Sequence, residues 1–418
     1  MQLFEHLDNA LVQIENHNSY VARSAAAWPS EASAELFDDL EAPVVGKCHR
    51  ASFWRMIGEP VTNPIDPIGA RRFRVGKAIE EDIKKCAQVA GIFVASGVKF
   101  YVADIDLSLE LDLVLIDPET KQAVIGECKS IYGYYAASEV IKNGRPKLDA
   151  VMQATMYVNE FRTGAAIKEA IAACLKQRDK LQARVEQLRT ELNAMMLPTY
   201  LCGQPAPKEV IDAKLKEVEA AKSKAARYRI EVDYDNLAKL SDGPTAAKLA
   251  YETRDDCQTK EFDVQVWTDP FDGLHYPMID GEPYRIFTVE SVYERYKILQ
   301  KHYLKAVAWV EKELGDTAGE KGTEAYWAKV GQKLRDLPLD LLPKAEYEFK
   351  YGAEKIEALF KAGKIGKTKY EGWKKKHKGK THIGSWRCSY CSFLKRCLPL
   401  EYPEYQYLAL ELDNDEAA

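Results

Sequence analysis

Three closely spaced cysteines constrain this chain more than any other feature. They are Cys388, Cys391 and Cys397, within Trp386-Arg387-Cys388-Ser389-Tyr390-Cys391-Ser392-Phe393-Leu394-Lys395-Arg396-Cys397. The pattern C-x2-C-x5-C offers three thiolates to one metal centre, and a tetrahedral or cubane site then needs a fourth ligand. The best candidate lies far upstream, at Cys48 in Gly46-Lys47-Cys48-His49-Arg50. A fold that uses it must bring the two ends of the chain together. The cysteines alone leave two centres open: a structural zinc site, with Cys48 or His382 as fourth ligand, or a [4Fe–4S] cluster.

The other cysteines carry no such pattern. Cys86, Cys174, Cys202 and Cys257 are scattered and read as packing or incidental thiols. The count of nine is odd. The opening Met1-Gln2-Leu3-Phe4-Glu5-His6-Leu7-Asp8 lacks the basic-then-apolar order of a signal peptide. Both features predict a reducing, cytoplasmic setting. No apolar run is long enough to span a bilayer, so no membrane partner is expected. The chain of 418 residues has room for one elaborated domain or two. Its net charge of -5 means that any nucleic-acid surface has to be local.

The order of elements predicts an α/β fold. Residues 1–70 mix short helical patterns with acidic runs, and Pro60, Pro64 and Pro67 break any helix. Residues 71–162 read as a core. Arg71 to Ala90 is helical, with Phe73, Ile79, Ile83 and Cys86 on or near one face. Strands follow at Gly97–Val102, Leu107–Ile116 and Gln122–Lys129, with a turn at Asp117–Lys121 between the last two. Leu148–Phe161 is helical again. Residues 163–230 read as an inserted antiparallel coiled coil, with Leu181, Val185, Leu188, Leu192 and Met195 facing Ile211, Leu215, Val218 and Ala225. Its expected role is structural or partner-docking. Residues 231–383 hold further strands, at Lys260–Trp267 and Tyr284–Val289, and a helix at Ser291–Leu314. They end in a basic tract, Lys361 to Lys380, with Tyr370 and Trp373 interleaved, a candidate backbone-binding surface. Residues 384–418 carry the cysteines and a tail.

The residues most suggestive of chemistry sit on two of the strands. In Val124-Ile125-Gly126-Glu127-Cys128-Lys129 the alternation of a strand puts Glu127 and Lys129 on one face and Cys128 on the other. The preceding strand, Leu109-Glu110-Leu111-Asp112-Leu113, supplies Asp112, and antiparallel pairing about the turn makes Asp112 and Glu127 cross-strand neighbours. Two adjacent carboxylates repel, and a hard divalent cation relieves this. Beside it, an amine can help polarise a water. On the next helix Gln153 and Tyr157 are one turn apart and share a face. Both can hydrogen-bond a phosphate or sugar, and Tyr157 can stack on a base.

The order Cys48, Gly76-x-x-x-Glu80, Asp112, Glu127-x-Lys129, Gln153-x-x-x-Tyr157, Cys388-x2-Cys391-x5-Cys397 resembles the RecB-like branch of the PD-(D/E)XK nucleases. Within it the chain looks like the iron–sulfur members: CRISPR-associated RecB-like exonucleases, the AddB nuclease domain and phage-encoded relatives. The resemblance covers Val45 to Phe161 and Gly384 to Pro399. It implies a restriction-endonuclease-like core, a central mixed sheet flanked by helices, closed by a C-terminal cysteine segment. It also implies a [4Fe–4S] cluster on Cys48, Cys388, Cys391 and Cys397 in preference to zinc. Glu80, Asp112, Glu127 and the backbone carbonyl of Cys128 would bind Mg2+ or Mn2+, Lys129 would act on the attacking water, and Gln153 and Tyr157 would position DNA. One departure stands out: Glu80 occupies the place of the family's usual histidine, which shifts preference toward hard metals. The implied activity is hydrolysis of DNA single strands or duplex ends, in recombination, repair or phage DNA processing. The rival expectation is a non-cleaving binding or assembly factor that docks a helicase or recombinase through residues 163–230. A further rival is a redox-sensing iron–sulfur protein.

Overall fold

A computed structural model of the chain describes residues 12, 26–35, 44–59, 61–62, 65–196, 206–226, 228–320, 323–334, 336–343, 357, 360–361, 363, 366–368, 370–371, 391–393 and 397. The chain divides into two compact units, Val75–Glu290, and Met1–Arg74 together with Ser291–Ala418. The predicted core, arm and later strands thus share one unit, while the N-terminal and C-terminal stretches share the other.

The unit Val75–Glu290 is α/β and centres on a mixed sheet flanked by helices. Its strands are β3 (Phe93–Val102), β4 (Leu107–Ile116), β5 (Ala123–Ile131), β6 (Glu231–Val232), β7 (Ala246–Thr253), β8 (Thr259–Thr268), β9 (His275–Ile279) and β10 (Glu282–Pro283). They lie in the order β10-β9-β8-β7-β5-β4-β3-β6. Only the β5–β7 joint is parallel. The alternating leucines of β4 explain its place: Leu107, Leu109, Leu111 and Leu113 are all buried. The turn after it is fixed by Asp117, whose Oδ1 accepts from the backbone N–H groups of Glu119 and Thr120. Lys121 then takes a positive φ of 59°.

Longer helices flank the sheet or form the arm, and the short α6 (Tyr234–Lys239) follows β6. Helix α2 (Pro67–Val89) starts with proline as its first residue, where no N–H is required. The two units divide within it. Its partly buried Ile79 and Ile83 and buried Ala87 point inward, whereas Phe73, at 53% exposure, and Cys86 do not join the expected face. Helix α3 (Leu148–Glu160) packs across β5, β7 and β8 through a face that includes Val151, Ala154 and Val158. Helices α4 (Gly164–Met196) and α5 (Lys208–Ala226) form the antiparallel pair. Leu188, Leu192 and Val218 make its seam with Ile211 and Ala221, and Arg184–Glu217 and Lys214–Glu191 pair across it. Two points differ from expectation. Leu215 is 48% exposed and outside the seam. The start of α4 belongs to the core: Ile167 and Ile171 are fully buried, and the Cys174 thiol donates to the carbonyl of Lys99 in β3. Tyr284–Val289 is also not the expected strand: the ladder of Glu282–Pro283 ends with the Tyr284 N–H bond to the Pro277 carbonyl, a turn follows at Arg285–Ile286, and the buried Phe287 and Thr288 lead into the helix that starts at the buried Val289.

The other unit contains a short hairpin, β1 (Ser33–Glu35) with β2 (Val44–Gly46), and the helices α1 (His49–Met56), most of α7 (Val289–Leu314), and α8 (Glu324–Leu334). Arg55 donates two hydrogen bonds of 2.6 Å to Glu31 and lies over the ring of Trp28. Tyr296 of α7 donates to the carbonyl of Trp28, and Arg295 to the hydroxyl of Ser33. Tyr370, expected to contact nucleic acid, is instead buried and stacked on Phe360 with ring centroids 4.3 Å apart. Most of the Lys361–Lys380 tract, Trp373 included, lies outside the described residues.

Candidate active site and thiol cluster

The site forms where β4 and β5 part. Their ladder runs from Ile116↔Ala123 to Leu113↔Gly126. One step further the same register brings Asp112 opposite Glu127, and the main-chain pairing stops. The Asp112 side chain takes over: its Oδ2 accepts from the Cys128 backbone N–H at 3.1 Å. Beyond this point β5 pairs with β7 alone, through Ile131↔Thr253. Gly126 permits the approach, since a Cβ there would lie 3.1 Å from Leu113 Cβ.

Alternation then separates the side chains. Cys128 packs with Ala87, Phe93 and Leu113 in an apolar cluster. Glu127, 1% exposed, and Lys129 turn the other way, toward α3. The Lys129 ammonium is ion-paired with Glu127 and donates to Gln153 Oε1 at 3.1 Å. Gln153 Nε2 donates to the Tyr157 hydroxyl at 2.7 Å, which donates to the Glu110 carbonyl at 2.8 Å. Sequence reasoning brought Asp112, Glu127, Lys129, Gln153 and Tyr157 to one place, and they are together. It gave Tyr157 the wrong task. At 1% exposure its ring offers no face to a base, and its hydroxyl ties α3 to β4.

The charges are unbalanced. Burial pushes Glu127 up to about 8, and the negative charge of Asp112 adds to the shift. Burial raises Asp112 as well, against the pull of Lys129 and the Cys128 N–H. Burial pulls Lys129 down, but Glu127 and Asp112 outweigh it and hold the ammonium protonated. Glu80 of α2 keeps solvent access, yet the surrounding protein and then Asp112 and Glu110 push it up to about 7. At neutral pH the group therefore retains at least one carboxyl proton. Glu110 was overlooked in the sequence, although alternation on β4 places it on the side of Asp112.

This donor set fits a hard divalent cation. It consists of carboxyl oxygens that repel one another, and Glu127 Oε2 is buried without a hydrogen-bond partner among the described residues. Among those residues no group of three or more His, Cys, Asp or Glu side chains is already placed to hold a metal ion. The Lys129–Glu127 ion pair occupies part of the carboxylate surface instead.

No family model, curated protein or solved structure matches the chain. Its site has to be read from its own residues.

The thiols lie in the other unit. Cys48 sits at the N-cap position of α1, without a capping bond from its side chain, and Cys391 and Cys397 come from the far end of the chain. Burial pushes Cys397 up to about 11, with Arg50 opposing and both Cys48 and Cys391 adding to the rise. Burial likewise raises Cys391, against Lys47, and Cys48 adds to it. Three thiols from the two ends of the chain are thus within electrostatic reach of one another. Local contacts hold them there: Thr62 N–H donates to the Ser392 carbonyl at 2.9 Å, and Trp54 packs on Phe393. The Arg50 guanidinium spans the Pro343 carbonyl and the Cys397 sulfur. A metal centre would take them as thiolates and relieve that repulsion, though no three of the described cysteines are already placed to hold an ion. Cys388 and His382 lie outside the described residues.

Proposed function

We propose that this chain is a metal-dependent deoxyribonuclease with a restriction-endonuclease-like core of the PD-(D/E)XK type, acting as an exonuclease on single strands or duplex ends. The observation that carries the reading is the convergence of Asp112, Glu127 and Lys129 where β4 and β5 part, with Gln153 bracing Lys129. Asp112, Glu127, Glu80 and the Cys128 carbonyl would hold Mg2+ or Mn2+, which supplies Lewis-acid polarisation of a phosphoryl oxygen and a more acidic water. Lys129 keeps its charge and stabilises the phosphoryl oxygens as a water oxygen bonds to phosphorus. The P–O bond to the leaving strand breaks, and the departing oxygen takes up a proton. The proton that the water gives up passes to bulk solvent, which reaches the site on its exposed side at Glu80. Gln153 and Tyr157 are positioning residues that keep Lys129 aimed at the carboxylates.

We read Cys48, Cys388, Cys391 and Cys397 as ligands of a [4Fe–4S] cluster, with zinc as the alternative, and the α4–α5 arm as the dock for a helicase or recombinase. Incubation with Mn2+ and end-labelled linear DNA tests the activity, with a closed circle as control. Linear DNA is expected to shorten while the circle persists, and Lys129→Ala to lose about a hundredfold or more of the rate. A Lys129→Ala protein as active as wild type would sink the mechanism. Tight DNA binding without cleavage by wild type would favour the non-cleaving assembly factor.

A further inference from the structure

The segment between β5 and α3 leaves the site directly and is built rather than loose. Gly133 bends the chain at a φ of 92°. A helical turn, Tyr134–Ala137, runs into a π-helical turn, Ser138–Lys142. Val140 is 1% exposed and pins the segment to the unit. Asn143 N–H donates to the Ser138 carbonyl and Arg145 N–H to the Glu139 carbonyl, each at 3.0 Å. The far end is held by the Lys147 N–H, which donates to the Tyr251 hydroxyl at 3.1 Å.

This fixed segment presents two large aromatic residues to solvent, Tyr132 at 51% exposure and Tyr134 at 71%. Lys142 Nζ stands 5.3 Å from the centre of the Tyr134 ring. From Tyr132 to Lys147 the charges are Lys142, Arg145 and Lys147 against Glu139 alone, on a chain that is acidic overall. Tyr132 follows Lys129 by three residues, about 10 Å along the chain, and lies one residue past the end of β5 at Ile131, where the alternation of the strand no longer fixes its side. Exposed aromatic faces interleaved with cations match single-stranded nucleic acid, whose bases stack while its phosphates seek positive charge. Arg145 is paired with Glu139 at 3.5 Å, which leaves Lys142 and Lys147 uncompensated by any acid within the segment.

The geometry points to Tyr132 and Tyr134 as a stacking platform for unpaired bases of the strand entering the site, with Lys142 and Arg145 taking its phosphates. The inference rests on the nuclease reading above, which supplies nucleic acid as the ligand class.

Fluorescence anisotropy with a labelled single-stranded oligonucleotide, in Ca2+ to allow binding without turnover, tests it. Tyr132→Ala/Tyr134→Ala should weaken single-strand binding about tenfold or more, and Tyr132→Phe/Tyr134→Phe should keep it, because stacking needs the ring and not the hydroxyl. Binding of a closed duplex, whose bases are already stacked, should change little. Unchanged single-strand affinity in the alanine variant overturns the platform. So does an equal loss for closed duplex, or a loss of self-association in sedimentation with binding intact, which would make the surface a protein interface. If those results come with Mn2+-dependent cleavage by wild type, the platform alone fails. If wild type neither binds nor cleaves, the nuclease reading fails with it.

Discussion

At the scale of single residues, the two units carry buried groups that titrate in opposite senses. His49 is 4% exposed, and burial, then Arg295 and His302, push it from 6.5 down to about 3. His302 is lowered too, chiefly by burial. A depressed histidine stabilises the fold fully above its unfolded pKa and loses that contribution as pH falls. His49 should therefore cost its unit about 2 kcal/mol between pH 6.5 and pH 5. Glu127 and Glu80 behave in reverse. Their folded values, about 8 and about 7, lie above the ordinary 4.5, so their contribution is full at low pH and is lost as pH rises through those values. In metal-free protein, lowering the pH from 8 to 5 is expected to destabilise the unit holding α1 and to stabilise the unit holding the sheet. Pulse proteolysis with identification of the fragments reads the two separately, and matching trends in both would refute the assignment.

At the scale of elements, the arm is a shorter insertion than its sequence suggests. Residues 165–196 contain no proline or glycine, so nothing in the pattern marks where core packing gives way to the free hairpin. The structure does. Gly164 backs onto Ser241, and a Cβ there would lie 2.0 Å from the Ser241 carbonyl oxygen. Ile167 and Ile171 follow it into the core. Replacing residues 181–222 with a short Gly-Ser turn should leave the fold and any nuclease activity intact, whereas removing 164–230 or introducing Gly164→Ala should cost several kcal/mol in denaturant unfolding. The strands show the same division between legible and hidden. β4 and β5 were readable because Leu alternates with polar residues and Asp117–Lys121 is a strong turn. That register alone placed Asp112 against Glu127. β7 was missed because Ala246-Ala247-Lys248-Leu249-Ala250 is poor in β-branched and aromatic residues, although its burial alternates strictly. Tyr284–Val289 was misread because a buried lead into a helix can be as apolar as a strand. The use of Tyr157 was hidden for another reason: sequence spacing gives the face of a helix, not what covers it.

At the scale of the whole molecule, the described residues of the unit formed by the chain's two ends pair as sheet in the β1–β2 hairpin, and contacts at Thr62–Ser392, Trp54–Phe393 and Arg50–Cys397 join the two ends near Cys48. If a metal centre closes it, the four cysteines should behave as one. Cys48→Ser and Cys391→Ser are each expected to remove the brown colour of anaerobically purified protein and to expose this unit to protease, to the same degree. The unit Val75–Glu290 should resist digestion in both variants. Loss of colour in Cys391→Ser but not in Cys48→Ser would remove the upstream cysteine from the set.

The joint between β5 and β7 has a consequence for how the molecule comes into being. Val124 pairs with Ala246, and the whole of α3, α4 and α5 lies between them. The meander β3-β4-β5 and the meander β7-β8-β9-β10 are local and can form quickly, but their union must close a very long loop. The outer half of β5, which carries Glu127 and Lys129, has no other neighbour in the sheet. Those side chains are therefore fixed only at the last step, after β7 has been synthesised and has docked. Under the proposed reading, a nascent or half-folded chain could not yet cut, because the group of Asp112, Glu127 and Lys129 has not assembled.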